Sequence, residues 1–240
     1  MQNRQQFDQE FNAPLDLFAA QAAADERAGF ITKTYLYVLG AVMVLIAIQA
    51  VLLNVLPADT KIQIANYMFG SWFLVLGAYI FASWIADKWA LGSTSSAMQH
   101  AGLGLYIVAS SVLLLPLLCV AEVRGEGLIL SAVVSTAGLF ALLTITIFIT
   151  RMDLSFMRPF LTFIGLAALG AIVLSMLGLV TLPMLFVYAM IAFCCCVILF
   201  QTSNVLHHYR IGQHVAASLA LLASVVMLFW YVLVLFMNRD

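Results

Sequence analysis

Between Arg158 and Arg210 the chain has 51 consecutive residues without Asp, Glu, Lys or Arg, and after Arg210 it has none again until Arg239. Water-soluble helices of this length keep one charged face, so two such stretches exclude a soluble domain and require a lipid surrounding. Charge is scarce throughout: 9% of the 240 residues are charged and 65% are hydrophobic, against roughly 25% and 45–50% in soluble domains. The ten basic residues are dispersed singly between apolar segments and form no stripe, so nucleic acid is excluded as a partner.

Other absences narrow the chemistry. All eleven carboxylates fall in tails, loops or helix ends, and no acid occupies mid-bilayer, where proton-coupled and cation pathways usually keep one despite a cost of at least about 2.5 kcal/mol. Lysine occurs only at 33, 61 and 88, which leaves none in the last helix for a retinal Schiff base. Ser110, Ser111 and Ser175 have no recognisable His or acid partner, so no catalytic residue is assigned. Cys119 and the run Cys194, Cys195 and Cys196 lie in apolar segments; adjacent residues point around a helix and do not converge on a metal, so no metal ligand and no cofactor-binding residue is assigned. The first 33 residues contain no apolar core before a cleavage site, and no cleavable signal peptide is expected.

What is present reads as seven membrane helices. Segments of about 20 apolar residues fall at about 34–56, 64–86, 102–121, 127–149, 159–180, 183–206 and 215–237, joined by short turns at Pro57, Gly92 to Ser96, Gly125 with Gly127, Pro159 and Pro183. The expected fold is an all-α integral membrane protein, a single seven-helix bundle over 34–237 after an N-terminal tail, 1–33, whose middle is Ala-rich. With that tail in the cytoplasm, the inner side holds Arg4, Arg27, Lys33, Lys88, Arg151, Arg158 and Arg210, and the outer side only Lys61, Arg124 and Arg239. Basic residues collect in cytoplasmic loops, so the distribution predicts a cytoplasmic N-terminus and a C-terminus on the far side. Ala167, Ala171 and Ser175, and again Ala216, Ala220 and Ser224, repeat at i+4 as small-residue packing stripes.

The one concentrated polar stretch, Gln201-Thr202-Ser203-Asn204 followed by His207 and His208, closes helix six. Gln201, Asn204 and His208 share one helix face, and Ser203 with His207 forms an i+4 pair. Two readings stay open: polar residues reaching water at a helix end, or a lining or sensing face inside the bundle. Between helices four and five, Arg151 and Asp153 are candidates for a structural clasp across a tight turn.

The run Ile198 to His207, with Thr150-Arg151-Met152-Asp153-Leu154-Ser155-Phe156 and the terminal Asn238-Arg239-Asp240, resembles the Bax inhibitor-1 family, specifically its bacterial YccA-like branch. That resemblance implies a seven-helix fold with a central wrapped helix, no catalytic activity and residence in a bacterial inner membrane. One branch of the family leaks calcium or other cations through a pH-sensitive gate of two aspartates, whereas the YccA-like branch is linked to the membrane AAA protease FtsH as modulator and substrate. In this chain Gln201 and Ser224 occupy the positions of the two acids, and an amide and a hydroxyl cannot share a proton. Gln201, Asn204, Ser224, His207 and His208 are therefore candidate pore or sensing residues without the acid gate, with Gln201 and Ser224 expected to hydrogen-bond across antiparallel neighbours. The expected role is modulation of membrane-protein quality control, with a cation leak as the alternative.

Overall fold

Where no water competes, each backbone N–H and C=O has to bond within its own segment, so apolar runs of this length become helices. The computed structural model describes residues 18–92 and 95–238. Its helices are α1 (Ala24–Val55), α2 (Ala58–Gly70), α3 (Trp72–Gly92), α4 (Ser96–Arg124), α5 (Leu128–Thr150), α6 (Arg158–Met176, after a 3₁₀ turn at Ser155–Met157), α7 (Met184–His207) and α8 (His214–Met237). All but α2 are long and apolar enough to cross a bilayer, which makes seven spans among the described residues. The chain is a multi-pass, all-α membrane protein. Proline sets several of the starts: Pro57 and Pro183 precede α2 and α7, and Pro159 sits in the first turn of α6, where a missing N–H costs no helical bond.

Two boundaries differ from those expected. The tail expected over 1–33 is helical from Ala24, because Asp25, Glu26, Arg27 and Lys33 extend α1 beyond its apolar part; its 32 residues measure about 48 Å, more than the hydrocarbon core requires. The span expected at 64–86 is broken at Ser71, whose hydroxyl bonds the Tyr67 carbonyl at 2.8 Å. The polar residues Asp59, Lys61, Gln63 and Asn66 hold the short α2 apart from the apolar span, and α3 makes the crossing. Residues 1–17 of the tail, and Arg239 and Asp240 of the terminal motif, lie outside the described residues.

Helix α8 occupies the centre. It packs against α1, α3, α4, α5 and α7, with Val215, Leu221, Leu222, Leu228 and Leu233 fully buried. Of the two small-residue stripes, that on α8 is used: Ala216 and Ser224 are buried, whereas Ala167 on α6 is exposed. Helix α6 is the outermost, with Leu161 its one buried residue. Helices α3 and α4 approach closely at Gly102, where a Cβ would come within 2.7 Å of the Ala86 carbonyl oxygen.

Long-range contacts separate the two ends of the bundle. At one, Phe18 meets Arg210 and Ser203 meets the 152–154 loop. At the other, Lys61 pairs with Glu122 at 2.9 Å and Arg124 bonds the Met237 carbonyl at 2.9 Å.

Candidate functional site

The polar end of α7 is the anchor for two other pieces of chain. After α5, Arg151 takes the left-handed conformation at φ 51°, which turns the backbone back toward α7. The fully buried hydroxyl of Ser203 then serves both sides of this loop: it accepts from the Leu154 N–H and donates to the Met152 carbonyl, each at 2.9 Å. One side chain thus ties together two backbone groups of the loop, of which the buried Leu154 N–H would otherwise lack a partner. Asp153 accepts the Ser155 N–H at 2.9 Å, which starts the 3₁₀ turn into α6, and meets His208 Nε2 at 3.1 Å with the same oxygen.

The expected clasp therefore has different partners. Asp153 binds Ser155 and His208, while Arg151 is exposed and contributes its backbone conformation. The backbone N–H of Ser155 first, and His208 second, hold the Asp153 carboxyl down to about 2. Both Asp153 and His208 side chains are close to half exposed, at 46% and 45%, so the charge part of this contact contributes only about 0–1 kcal/mol.

Gln201, Asn204 and Ser224 serve local needs. Gln201 Oε1 accepts a long 3.4 Å contact from Asn204 Nδ2, and Ser224 Oγ donates to Ala220 O at 2.9 Å within its own helix. The expected Gln201–Ser224 hydrogen bond is not formed, because each group finds a partner three or four residues away on its own helix. His207 Nδ1 faces the Ser203 carbonyl at 3.0 Å, which puts the proton on that nitrogen. Serine, histidine and aspartate thus gather here without a proton relay: Ser203 Oγ is committed to backbone, and Asp153 bonds the neighbouring His208.

Sequence reasoning missed the second anchored piece. Ala19 is fully buried and donates its N–H to the Tyr209 carbonyl at 2.9 Å. It packs with Phe30, Val38, Val205, Ala217 and Leu221, capping this end of the bundle. Phe18 forms an isolated antiparallel bridge with Arg210, whose guanidinium lies 5.8 Å from the ring centre. The available signal was one aromatic, Phe18, at the head of the Ala-rich run. Burial, and then the neighbouring Asp87 charge, push the Tyr209 phenol up to about 12.

Below that cap the hydroxyls of Tyr35, Thr144 and Thr202 lie near one another, buried and without hydrogen-bond geometry. Among the described residues no three His, Cys, Asp or Glu side chains come together to hold a metal, and the four cysteines are free thiols. The family model described as inhibitor of apoptosis-promoting Bax1 matches residues 27–240, nearly the whole chain. No curated protein and no solved structure matches it.

Proposed function

From its membership of the Bax inhibitor-1 family, to which this chain belongs, we propose that it is a non-enzymatic protein of the bacterial inner membrane, of the YccA-like branch. Its role is to modulate membrane-protein quality control through the AAA protease FtsH. The capped end of the bundle faces the cytoplasm, in keeping with the basic residues at Arg151, Arg158 and Arg210.

The observation that carries this reading is the seat of Ala19. Phe18 and Ala19 are held beside Tyr209 and Arg210 by a short backbone bridge that includes the Ala19 N–H to Tyr209 carbonyl bond, by the Arg210 guanidinium over the Phe18 ring and by the burial of a small side chain. A cytosolic ATPase that draws on residues 1–17 strips these contacts first, before any helix leaves the membrane, and bares Val205, Ala217 and Leu221. Modulation and substrate behaviour then share one handle. The test is co-purification with the protease from native membranes, comparing the full chain with a form lacking residues 1–25. Capture that depends on the tail supports the reading; equal capture, or none from either, removes it.

A cation leak is the second reading, favoured by the unpartnered hydroxyls of Tyr35, Thr144 and Thr202 beneath the cap. Such a path is lined by neutral groups, with Gln201 and Ser224 where the resemblance puts two acids. Calcium flux in proteoliposomes should then change little between pH 6 and 8 apart from a contribution of His207 or His208, and Gln201→Asp with Ser224→Asp should introduce a steep dependence. A steep native response that survives replacement of both histidines rules this assignment out.

A further inference from the structure

A cavity of about 550 Å³ lies between α1, α4, α5 and α8. Along α1 it follows one helix face from Tyr35 to Leu53, eighteen residues or about 27 Å, close to the roughly 30 Å of bilayer hydrocarbon. That elongation along α1 matches an extended hydrocarbon chain lying parallel to the helix. The rim residues Leu39 and Ile46 are exposed, so the column opens sideways toward lipid.

The wall is apolar except at a few positions, and two of these are unpartnered and more than nine-tenths buried. Gln49 and Thr136 are 7% and 3% exposed and both line the cavity. Gln49 Nε2 donates to the Ser111 carbonyl at 2.8 Å, which turns Oε1 away from that oxygen and leaves it without a donor. Thr136 Oγ1 has no partner either. Gln49 lies six residues before the end of α1 and Thr136 eight after the start of α5, so both sit roughly 9–12 Å below the Lys61–Glu122 end. An acceptor left unbonded in hydrocarbon is unfavourable. A ligand hydroxyl seated between them would give its hydrogen to Gln49 Oε1 and take that of Thr136.

We propose that this column binds a single-chain lipid alcohol, its hydroxyl at Gln49 and Thr136 and its hydrocarbon chain running along α1 toward Tyr35. Phospholipid tails carry no donor at that depth, so the polar pair distinguishes this ligand from bulk lipid. The full chain in phosphatidylcholine nanodiscs is photolabelled with a diazirine-bearing hexadecan-1-ol and, in parallel, with its methyl ether, which keeps the chain and the acceptor but has no donor. The alcohol should cross-link to the column faces of α1 and α5 at least about fivefold more strongly than the ether, the factor expected from one buried hydrogen bond. Gln49→Leu or Thr136→Val should lower the alcohol's yield toward that of the ether. Equal yields from the two probes on the native protein overturn the proposal, whether bulk tails fill the column or water bridges the polar pair. Labelling spread equally over lipid-facing α6, or an alcohol preference unchanged in folded Gln49→Leu and Thr136→Val proteins, does the same. Should neither variant fold, the alcohol-to-ether ratio on the native chain decides alone.

Discussion

Replacing Ser203 with alanine removes an acceptor and a donor at once, from opposite sides of one loop. The Leu154 N–H is in a residue only 7% exposed, and without Ser203 Oγ it has no acceptor; leaving such a group unsatisfied costs about 1–3 kcal/mol. The Met152 carbonyl belongs to an exposed residue and turns to solvent at little cost. For a chain of this length, where 1 kcal/mol moves the midpoint by roughly 2–4 °C, the expected fall is about 2–12 °C. The protein carries its own reporter: Cys119 is 1% exposed, whereas Cys195 and Cys196 are partly exposed, so thiol-specific dye incorporated at Cys119 on heating, read by peptide mapping, follows loss of the native bundle. Ser218→Ala is the control, because that hydroxyl is equally buried but bonds only the Val215 carbonyl of its own helix at 2.7 Å. A Ser203→Ala midpoint no lower than that of Ser218→Ala would refute the two-sided role given to Ser203.

Three further outcomes concern close contacts elsewhere in the bundle. Gly102→Ala should destabilise by about 1–3 kcal/mol, because the new Cβ meets the Ala86 backbone oxygen at 2.7 Å, whereas Gly104→Ala, with nothing within 4 Å, should stabilise by about 0.5–1 kcal/mol; paired thermal midpoints check the opposite signs. Glu122→Gln leaves the Lys61 ammonium, 11% exposed, without its anion, at a cost of roughly 1–3 kcal/mol once the 41% exposure of Glu122 is discounted; adding Lys61→Met should recover most of it in a double-mutant cycle. Asp153, with its carboxyl held down to about 2 against an ordinary 3.8, adds stability above the ordinary value that is lost as pH falls through the lower one. Exchange of the Ser155 amide, corrected for intrinsic rate, should thus stay slow at pH 5 and rise between about pH 4 and 2, and Asp153→Asn should remove that response.

The seven spans were legible because lipid removes the alternative to an apolar helix, and charge-free runs such as 159–209 leave no other reading. Ser71 was not legible: a window of 20 residues sees Ala58–Gly92 as one hydrophobic stretch with a polar start, and only the Lys61–Glu122 pairing, 61 residues apart, shows why the start stays at the rim. The polar run at the end of α7 stood out in sequence, but the role of Ser203 did not, since its partners Met152 and Leu154 are 51 and 49 residues away. Asp153 looked like a partner for Arg151 because they are neighbours in sequence; in space the better-placed group is His208, 55 residues on. Ala19 gave still less away, as burial of an alanine depends wholly on what folds over it.

The contacts of Ser203 and Asp153 also determine which helix the bundle can release. Helix α6 packs chiefly on α7, and its approach to the bundle runs through the loop that these two residues hold. Helix α8, by contrast, touches five others and keeps twelve buried residues. Loss of the loop contacts therefore lowers the cost of a local opening in which α6 leaves α7, and affects the α8 core less. The α6–α7 seam includes Phe193, whose ring end lies 3.5 Å from a Cβ placed on Gly165; Cys196, three residues further along α7, shares that face. Cys194 instead packs in the central core with Ile198 and Leu222. Cys196 is partly exposed in the intact bundle, so in Ser203→Ala it should react faster than in the native protein at temperatures where Cys194 is still protected, a difference that peptide mapping of the labelled protein resolves. Simultaneous acceleration at both cysteines would mean that the loop is coupled to the whole bundle and that α6 does not open alone.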